Sequence, residues 1–267
     1  MPYIDLNNVN YYYEDSGQGE EVIIFSHGFL WSGKMFEDQV TYFTKKGFRV
    51  ITYDHRGQGK TEIAKDGYDF DTLTLDAVDL IKKLNLGKVH FAGLSMGGMI
   101  GMRLALRYPD LLKSLILLET TAEAEPKKNI KKYKQMNFVA TWFGLRIVAG
   151  SIMKILFGAS FFNPSNKNQQ KKWKKELLSN RRKGVSNALK GVIGRNDILD
   201  QIKNIHLPTL IIIGDEDTAT PLKYANRMYR ELPEGHIALI PKAGHSSTIE
   251  QPDYVNKILD NFLTLVC

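Results

Sequence analysis

The chain has 267 residues, 43% of them hydrophobic, and is therefore long enough to bury the core of one large domain. Its one cysteine, Cys267, excludes a disulfide framework and the Cys/His spacing of a zinc site. The formal net charge of +7 raises the question of a nucleic-acid partner, because phosphate binding needs a clustered basic face.

The positive charge is confined to one segment. Residues 121–205 contain 18 Lys or Arg and 5 Asp or Glu, a net charge of +13, whereas the remainder of the chain has a net charge of −6. Within this segment the basic residues of "KKNIKKYK" and "KNQQKKWKKE" repeat at helical spacing, which is typical of solvated helix faces. We therefore expect no nucleic-acid partner, and recognition of an anionic surface or partner by this segment is the alternative.

The chain begins with "MPYIDLNNVNYYYEDSG", which has acidic residues and lacks the basic and apolar regions of a secretory signal. We therefore expect a cytoplasmic protein. Alternation of apolar and polar side chains within residues 3–14 indicates antiparallel edge strands. Nothing in the sequence indicates the oligomeric state.

Short apolar runs then alternate with helical stretches. Six runs rich in Val and Ile end in Gly, Asp, Glu or Pro, as buried parallel strands do: "EVIIFSHG", "FRVITYD", "KVHFAG", "KSLILLE", "PTLIIIGD" and "HIALIP". Three stretches with apolar residues three to four apart read as crossover helices: "SGKMFEDQVTYFTKKG", "DFDTLTLDAVDLIKKLNLG" and "GGMIGMRLALRYPD". The order predicts an α/β fold with an open, doubly wound, mostly parallel sheet, formed by residues 1–120 and 206–267.

The alternation stops after Glu119 and resumes at Pro208. The intervening "FVATWFGLRIVAGSIMKILFGASFF" is too long for a loop and has no strand punctuation. We interpret residues 121–205 as an inserted helical cap over a pocket. A contact between this cap and a membrane surface is the second alternative, and a spanning helix is the last, because Arg146 and Lys154 interrupt the apolar run.

One serine stands among glycines in Gly93-Leu94-Ser95-Met96-Gly97. This Gly-x-Ser-x-Gly string follows a predicted strand and precedes a predicted helix, at the sheet edge where the loops of parallel strands form active sites. Strand and helix approach closely there, so small residues must flank the serine. The context favours Ser95 as a nucleophile over a simple packed turn.

A serine nucleophile needs a base, and the base needs an acid. Of the six histidines, His245 alone sits in a Gly-containing loop after a late strand and before a terminal helix. Three acids follow strands: Glu119, Asp215 and Asp217. Asp217 lies farthest into its loop, so the spacing favours it and leaves Asp215 and Glu119 as alternatives.

The ordered motifs "FSHGFLWSGKMFEDQV", "YDHRGQGKT", "GLSMGGMIG", "GDEDTATP" and "AGHSSTIEQPDYV" resemble the α/β-hydrolase superfamily over nearly the whole chain outside the cap. The resemblance is greatest to small carboxylesterases, arylesterase/perhydrolases, cofactor-free haloperoxidases and 3-oxoadipate enol-lactonases. It implies that Ser95 is the nucleophile, Asp217 the acid and His245 the base.

The tetrahedral intermediate of such a reaction needs preorganised N–H donors. Met96 N–H, just past the nucleophile at a helix N-terminus, is one predicted donor. The resemblance implies that Phe29 N–H is the other. We also expect Phe29, Leu30, Trp142 and Phe143 to line an apolar substrate pocket.

The "DHRGQGKT" stretch predicts a structural pair of Asp54 and Arg56 that holds the loop after the second strand. No dinucleotide-binding Gly-x-Gly-x-x-Gly motif follows the first strands, so we expect no cofactor and no metal.

The sequence thus predicts a serine hydrolase that cleaves small, largely apolar carboxylic esters through an acyl-enzyme, with a small-molecule ester as its partner. The alternatives are an enol-lactone or C–C bond hydrolase with the same triad, a perhydrolase or haloperoxidase, and a receptor-like protein with little turnover. Perhydrolase and haloperoxidase relatives commonly have proline where this chain has Leu30, which argues against peroxide chemistry.

Overall fold

The computed structural model describes residues 2–267, in which the sheet has eight strands. In chain order these are β1 (Tyr3–Leu6), β2 (Val9–Ser16), β3 (Val22–Ser26), β4 (Arg49–Tyr53), β5 (Val89–Leu94), β6 (Leu112–Leu118), β7 (Thr209–Gly214) and β8 (Gly235–Ile240). Their order across the sheet is β1-β2-β4-β3-β5-β6-β7-β8. The six predicted strands are all present and pair in parallel, and β1 and β2 add the antiparallel edge.

Within these same residues, ten α-helices accompany the sheet. They are α1 (Glu37–Lys45), α2 (Phe70–Lys83), α3 (Met96–Arg107), α4 (Lys127–Phe143), α5 (Leu145–Leu156), α6 (Lys167–Leu178), α7 (Arg182–Gly194), α8 (Leu222–Glu231), α9 (Ser247–Glu250) and α10 (Pro252–Val266). Helix α2 begins at an N-cap, Asp69, whose carboxylate accepts a hydrogen bond from Thr72 N at 2.9 Å. The three predicted crossover helices correspond to α1, α2 and α3.

The side chains of the central strands alternate between two apolar layers. Ile24 on β3 belongs to the layer that includes α2, α3 and α8, whereas its neighbours Ile23 and Phe25 belong to the layer with α1, α10 and α5. The central strands are therefore buried on both faces, which is why they appear as continuous apolar runs in the sequence. The doubly wound α/β prediction is confirmed.

Helices α4 to α7 lie between β6 and β7, within the segment predicted to be a helical cap. Asn180, just before α7, donates a hydrogen bond from Nδ2 to the carbonyl of Leu30, 2.8 Å away in the loop after β3. The inserted helices therefore contact the carboxyl edge of the sheet. The boundaries of the cap at residues 121 and 205 remain a prediction.

The predicted pair of Asp54 and Arg56 is wrong. Arg56 donates to Asp76 of α2 at 2.6 and 2.7 Å, in a buried bidentate pair. Asp54 instead accepts backbone N–H bonds from Gly33 and Lys60, each at 2.8 Å. Asp54 therefore joins the loop after β3 to the loop after β4, whereas Arg56 fastens the loop after β4 to α2.

No helix in residues 2–267 combines the length and the hydrophobicity that a membrane span requires.

Candidate active site

Ser95 occupies a strained turn between β5 and α3. Its φ of 51° and ψ of −108° lie outside the regions that L-residues ordinarily adopt. The turn is held from both sides: Ser95 N donates to the Leu118 carbonyl at 2.8 Å, and Thr120 Oγ1 donates to the Ser95 carbonyl at 2.7 Å. The neighbouring strand β6 therefore fixes the conformation that turns the serine side chain outward.

The flanking glycines are needed because backbones touch. A Cβ on Gly93 would lie 2.3 Å from the Gly97 carbonyl, and one on Gly97 would lie 2.0 Å from the carbonyl of Ser26 on β3. Both distances are far below van der Waals contact, and both involve backbone atoms that cannot move aside. The Gly-x-Ser-x-Gly spacing is therefore a packing requirement of this turn.

Three side chains from three loops form one hydrogen-bonded chain. His245, in the loop after β8, lies with Nε2 2.9 Å from Ser95 Oγ and with Nδ1 2.8 Å from Asp217 Oδ2 in the loop after β7. Because a carboxylate can only accept, the imidazole Nδ1 carries the proton and Nε2 is free to accept from the serine hydroxyl. The arrangement can remove a proton from Ser95.

The surroundings of Asp217 keep it ionised. Burial alone would raise the pKa of its carboxyl, but His245 and the N–H and hydroxyl of Thr220 hold the pKa below its usual value. Oδ1 accepts from Ala219 N at 2.7 Å and Thr220 N at 3.0 Å, and Oδ2 accepts from Thr220 Oγ1 at 2.8 Å. This ring of donors fixes the carboxylate in the orientation that meets the imidazole.

Neither of the other two candidate acids forms a hydrogen bond with His245 in residues 2–267. Asp215 is exposed, and its Oδ1 lies 3.4 Å from Ala243 N. Glu119 is fully buried at a φ of 41°, and neither of its carboxyl oxygens has a hydrogen-bond partner in residues 2–267. Burial raises the pKa of the Glu119 carboxyl well above its usual value.

Two backbone N–H groups are free at the serine. Within the described part of the chain neither Phe29 N nor Met96 N donates to a protein acceptor. Gly28 packs against Leu94 and Ser95, so a Cβ there would lie 3.5 Å from the Ser95 Cβ. The loop after β3 and the start of α3 thus bring both predicted donors beside Ser95.

A buried network shapes the loop after β3. Leu30, at a φ of 71°, donates its N–H to Gln58 Oε1 at 2.8 Å. His27 accepts from His55 N at Nε2, 2.9 Å away, and therefore donates from Nδ1 to the Gly28 carbonyl at 2.7 Å. Burial lowers the pKa of His27 to about 4, so its ring is neutral and serves as a fixed structural bridge.

An apolar cavity lies next to Ser95 and His245 and is roofed by the inserted helices. Phe29 and Leu30 line it, as predicted from the sequence. Trp142 and Phe143 do not: their side chains are 70% and 65% exposed on the outer surface of α4, so this part of the prediction is wrong. The sequence pattern identified the helix but not its inner face. That face and the neighbouring helices contribute other apolar side chains, namely Met136, Ala140, Leu145, Ile152, Ile155, Leu156, Val185, Leu189 and Val192.

Part of the cavity wall, which we call the polar end, is formed by polar side chains that no local sequence pattern indicated. Arg195 and Glu125 form a buried ion pair at 2.7 Å, and Asn129 Nδ2 donates to the second Glu125 oxygen at 2.7 Å. Tyr133 lies beside them, and burial with the nearby Glu125 charge raises the pKa of its hydroxyl to about 12. Glu125 and Arg195 are 70 residues apart in the sequence, so no local motif could have joined them.

A separate group of potential ligands lies at the opposite end of the sheet. Glu21, His90 and Cys267 each place one ligand atom within 4.8 Å of the others. Lys113 Nζ is already 2.6 and 2.7 Å from the Glu21 carboxylate oxygens and holds the pKa of this carboxyl below its usual value. His90 is the second residue of β5 and Ser95 follows the end of that strand, so this group takes no part in the candidate active site.

With this geometry in view, the comparisons with known proteins define the class. Residues 21–252 match the alpha/beta hydrolase fold family, and the chain therefore belongs to that family. The fold class and the resemblance drawn from the motifs are both confirmed.

Individual relatives are similar to this chain over nearly its full length. The AB hydrolase superfamily protein YisY of Bacillus subtilis is 29% identical over 268 residues, covering 96% of each chain. A thermophilic esterase from Thermogutta terrifontis superposes with a TM-score of 0.91 at 27% identity, covering 100% of this chain and 97% of that one. An enol-lactonase from Burkholderia xenovorans has a TM-score of 0.91 at 25% identity, covering 98% and 100%. These relatives support hydrolysis as the type of reaction.

Proposed function

We propose that the protein is a carboxylesterase that cleaves small, largely apolar esters through an acyl-enzyme on Ser95. The observation that carries this proposal is the continuous chain of hydrogen bonds from Ser95 Oγ through His245 to Asp217, with two free N–H groups beside the serine. The nearby cavity is mostly apolar, which fits an apolar acyl or alcohol group.

The first half of the reaction forms the acyl-enzyme. His245 Nε2 takes the proton of Ser95 as Oγ attacks the ester carbonyl, and the carbonyl oxygen becomes an oxyanion that accepts from Phe29 N–H and Met96 N–H. Asp217 stabilises the imidazolium. The imidazolium then returns the proton to the leaving alkoxide, and an alcohol departs from the tetrahedral intermediate.

The second half releases the acid. Water gives a proton to His245 and attacks the Ser95 acyl carbonyl, so a second oxyanion forms in the same place. The imidazolium protonates Ser95 Oγ as the C–O bond to the serine breaks. A carboxylic acid leaves and the free enzyme is restored.

A second candidate is a lactone or ester hydrolase for a substrate that also carries a polar group. The Arg195–Glu125 pair favours this second candidate. Burying charged groups in the cavity wall costs free energy, and a purely apolar substrate would make no polar interaction that offsets this cost. The enol-lactonase among the structural relatives is compatible with this candidate. The chemistry at Ser95 is the same in both cases.

The test is a panel of p-nitrophenyl esters with linear acyl chains of increasing length. We expect turnover of the shorter esters, and we expect Ser95→Ala to remove at least about three orders of magnitude of kcat. Absence of ester turnover with intact folding would favour C–C bond cleavage or a receptor role. Turnover that requires added hydrogen peroxide would favour the perhydrolase alternative.

A further inference from the structure

Four large apolar side chains lie on the outer surface of the inserted helices, within ten residues of one another. They are Phe138, Trp142, Phe143 and Ile147, and we call them the cap patch. Each is 59–70% exposed, and elsewhere in residues 2–267 only Leu265 is a more exposed large apolar side chain. The rings of Phe138 and Trp142 lie 6.3 Å apart, centroid to centroid.

The cap patch has no role inside the molecule. None of its four residues lines the active-site cavity. The buried side chains of the same two helices, such as Ala140, Leu145 and Val148, already fill the inner faces of α4 and α5. Single exposed apolar residues are common, but a contiguous group of aromatic ones marks a surface that meets a partner.

Positive charge surrounds the cap patch without any negative charge from the same segment. Residues 126–175 contain 12 Lys or Arg and no Asp or Glu. Arg146 precedes Ile147 directly and is exposed. Arg182 of α7 donates to the Thr141 carbonyl at 3.3 Å, so a third helix contributes positive charge beside the cap patch. We call these surrounding basic residues the basic rim.

The charges and the aromatic rings share one stripe of α4. Lys127, Lys131, Lys134, Phe138 and Trp142 follow each other at intervals of four, three, four and four residues, which places them on one face of the helix. The three lysines are exposed, and none of them pairs with a carboxylate in the described part of the chain. Lysine stems with aromatic rings on one exposed stripe are typical of helices that lie in a membrane interface.

We infer that the cap patch docks on a membrane surface rich in anionic lipid. The charge complementarity selects this partner, because anionic headgroups attract a basic rim while the acyl boundary accepts the aromatic rings. The remainder of the chain is net negative and is repelled from such a surface, so the molecule binds with α4 and α5 toward the lipid. The contact is interfacial, since neither helix is fit to span the bilayer.

The inference concerns binding and stands independently of the proposed hydrolysis. Docking has one structural consequence for the active site, because the inner faces of the two docked helices line the cavity through Met136, Ala140 and Ile152. Docking would therefore place the roof of the cavity against the lipid.

The chain contains its own reporter. It has three tryptophans, of which Trp31 and Trp173 are each 2% exposed, so only Trp142 can change its solvation on docking. We expect a blue shift of tryptophan emission with vesicles of phosphatidylcholine and phosphatidylglycerol in a roughly 7:3 ratio, and no shift with phosphatidylcholine alone. Salt at roughly 0.5 M should reverse the shift, because the attraction is screened.

Variants then separate the two components of the surface in vesicle sedimentation. Trp142→Ser with Phe143→Ser should lower the partition coefficient by at least about tenfold, and so should reversing Lys127, Lys131 and Lys134 to Glu. Leu265→Ser is the matched control, because it removes a more exposed apolar side chain outside the cap and should leave binding unchanged. All variants should keep the wild-type melting temperature and wild-type turnover of dissolved short esters.

Three outcomes would overturn the inference. They are equal binding to neutral and anionic vesicles, retention of binding in both cap variants, and a blue shift that grows with protein concentration in the absence of vesicles. The last would assign the cap patch to contact with a second copy of the chain.

Discussion

Asp217 Oδ2 lies 2.8 Å from His245 Nδ1, and the two residues are 28 positions apart in the sequence. The carboxylate is also held by Ala219 and Thr220 of its own loop, so its position does not depend on the histidine. A change at Asp217 should therefore alter the tautomer and orientation of His245 more than it alters the fold.

We accordingly predict that Asp217→Asn lowers kcat for short esters by about 10³- to 10⁴-fold, because an amide in this position favours the wrong imidazole tautomer. The melting temperature should change little. Asp215→Asn, two residues away in the exposed part of the same loop, is the matched control and should stay within about twofold of wild type. Equal losses in the two variants would contradict the assignment.

Glu119 provides a second comparison. Because neither oxygen of this buried carboxyl has a hydrogen-bond partner in residues 2–267, Glu119→Gln should retain most of the activity. In the background of Asp217→Asn, Glu119→Gln should cause no further loss. A further loss in the double variant, measured as kcat, would show that Glu119 supports the histidine when Asp217 is gone.

The cavity lining predicts acyl-length specificity. Leu189→Ala enlarges the cavity and should move the optimum toward longer acyl chains, since each shielded methylene contributes about 0.8 kcal/mol, or roughly fourfold in kcat/KM. Trp142→Ala is the matched control on the outer surface and should leave the ratio of kcat/KM values unchanged. A shift caused by Trp142→Ala alone would contradict the observed orientation of α4.

The Arg195–Glu125 pair predicts a preference at the polar end. We compare p-nitrophenyl pentanoate with the mono-p-nitrophenyl ester of glutarate, which has the same acyl length and ends in a carboxylate. The double variant Arg195→Met with Glu125→Gln removes both charges together and so avoids leaving one buried charge unpaired. If a polar group binds there, kcat/KM should fall by about tenfold or more for the glutarate ester and by less than about threefold for the pentanoate.

The two esters also separate the possible failures. Equal kcat/KM changes would assign the ion pair to stability alone and leave the carboxylesterase proposal in place. Absence of turnover for both esters in the wild-type protein would instead contradict hydrolysis of esters.

Glu250 predicts a pH dependence of stability. Its carboxylate accepts from Gly158 N and Gly244 N, each at 2.9 Å, and burial raises its pKa to about 7. A carboxyl whose folded pKa lies above its unfolded value stabilises the fold most below the unfolded pKa, and this contribution is lost as pH rises through about 7. The free energy of unfolding of wild type relative to Glu250→Gln should therefore decline between about pH 4.5 and 7, by at most about 3 kcal/mol. Parallel curves from urea denaturation at several pH values would contradict this.

Local sequence patterns predicted most of the sheet, because the central strands β3, β5, β6 and β7 are short apolar runs buried on both faces. The same logic located Ser95, whose flanking glycines are required by the contact of Gly97 with Ser26. Chain order and loop position likewise selected His245 and Asp217, which the structure brings together.

Contacts between distant residues were not predictable in this way. Arg56 pairs with Asp76 rather than with its neighbour Asp54, since the partner depends on how α2 packs. The outward orientation of Trp142 and Phe143 follows from the packing of α4 on α5. The hydrophobicity of the segment alone does not indicate which face of α4 is turned inward. Gln58 and Asn180 hold the loop after β3 through single hydrogen bonds that leave no trace in local sequence patterns.

The central claim is that Ser95 becomes covalently acylated during turnover. The most direct measurement is mass spectrometry of the protein after reaction with a p-nitrophenyl alkylphosphonate, which forms a stable adduct with an activated serine and releases p-nitrophenol. The account predicts one adduct per chain on the peptide that contains Ser95, with loss of ester hydrolysis in proportion to labelling and no adduct in Ser95→Ala. An adduct on another residue that accompanies the loss of activity, or full inhibition without any adduct on Ser95, would contradict it.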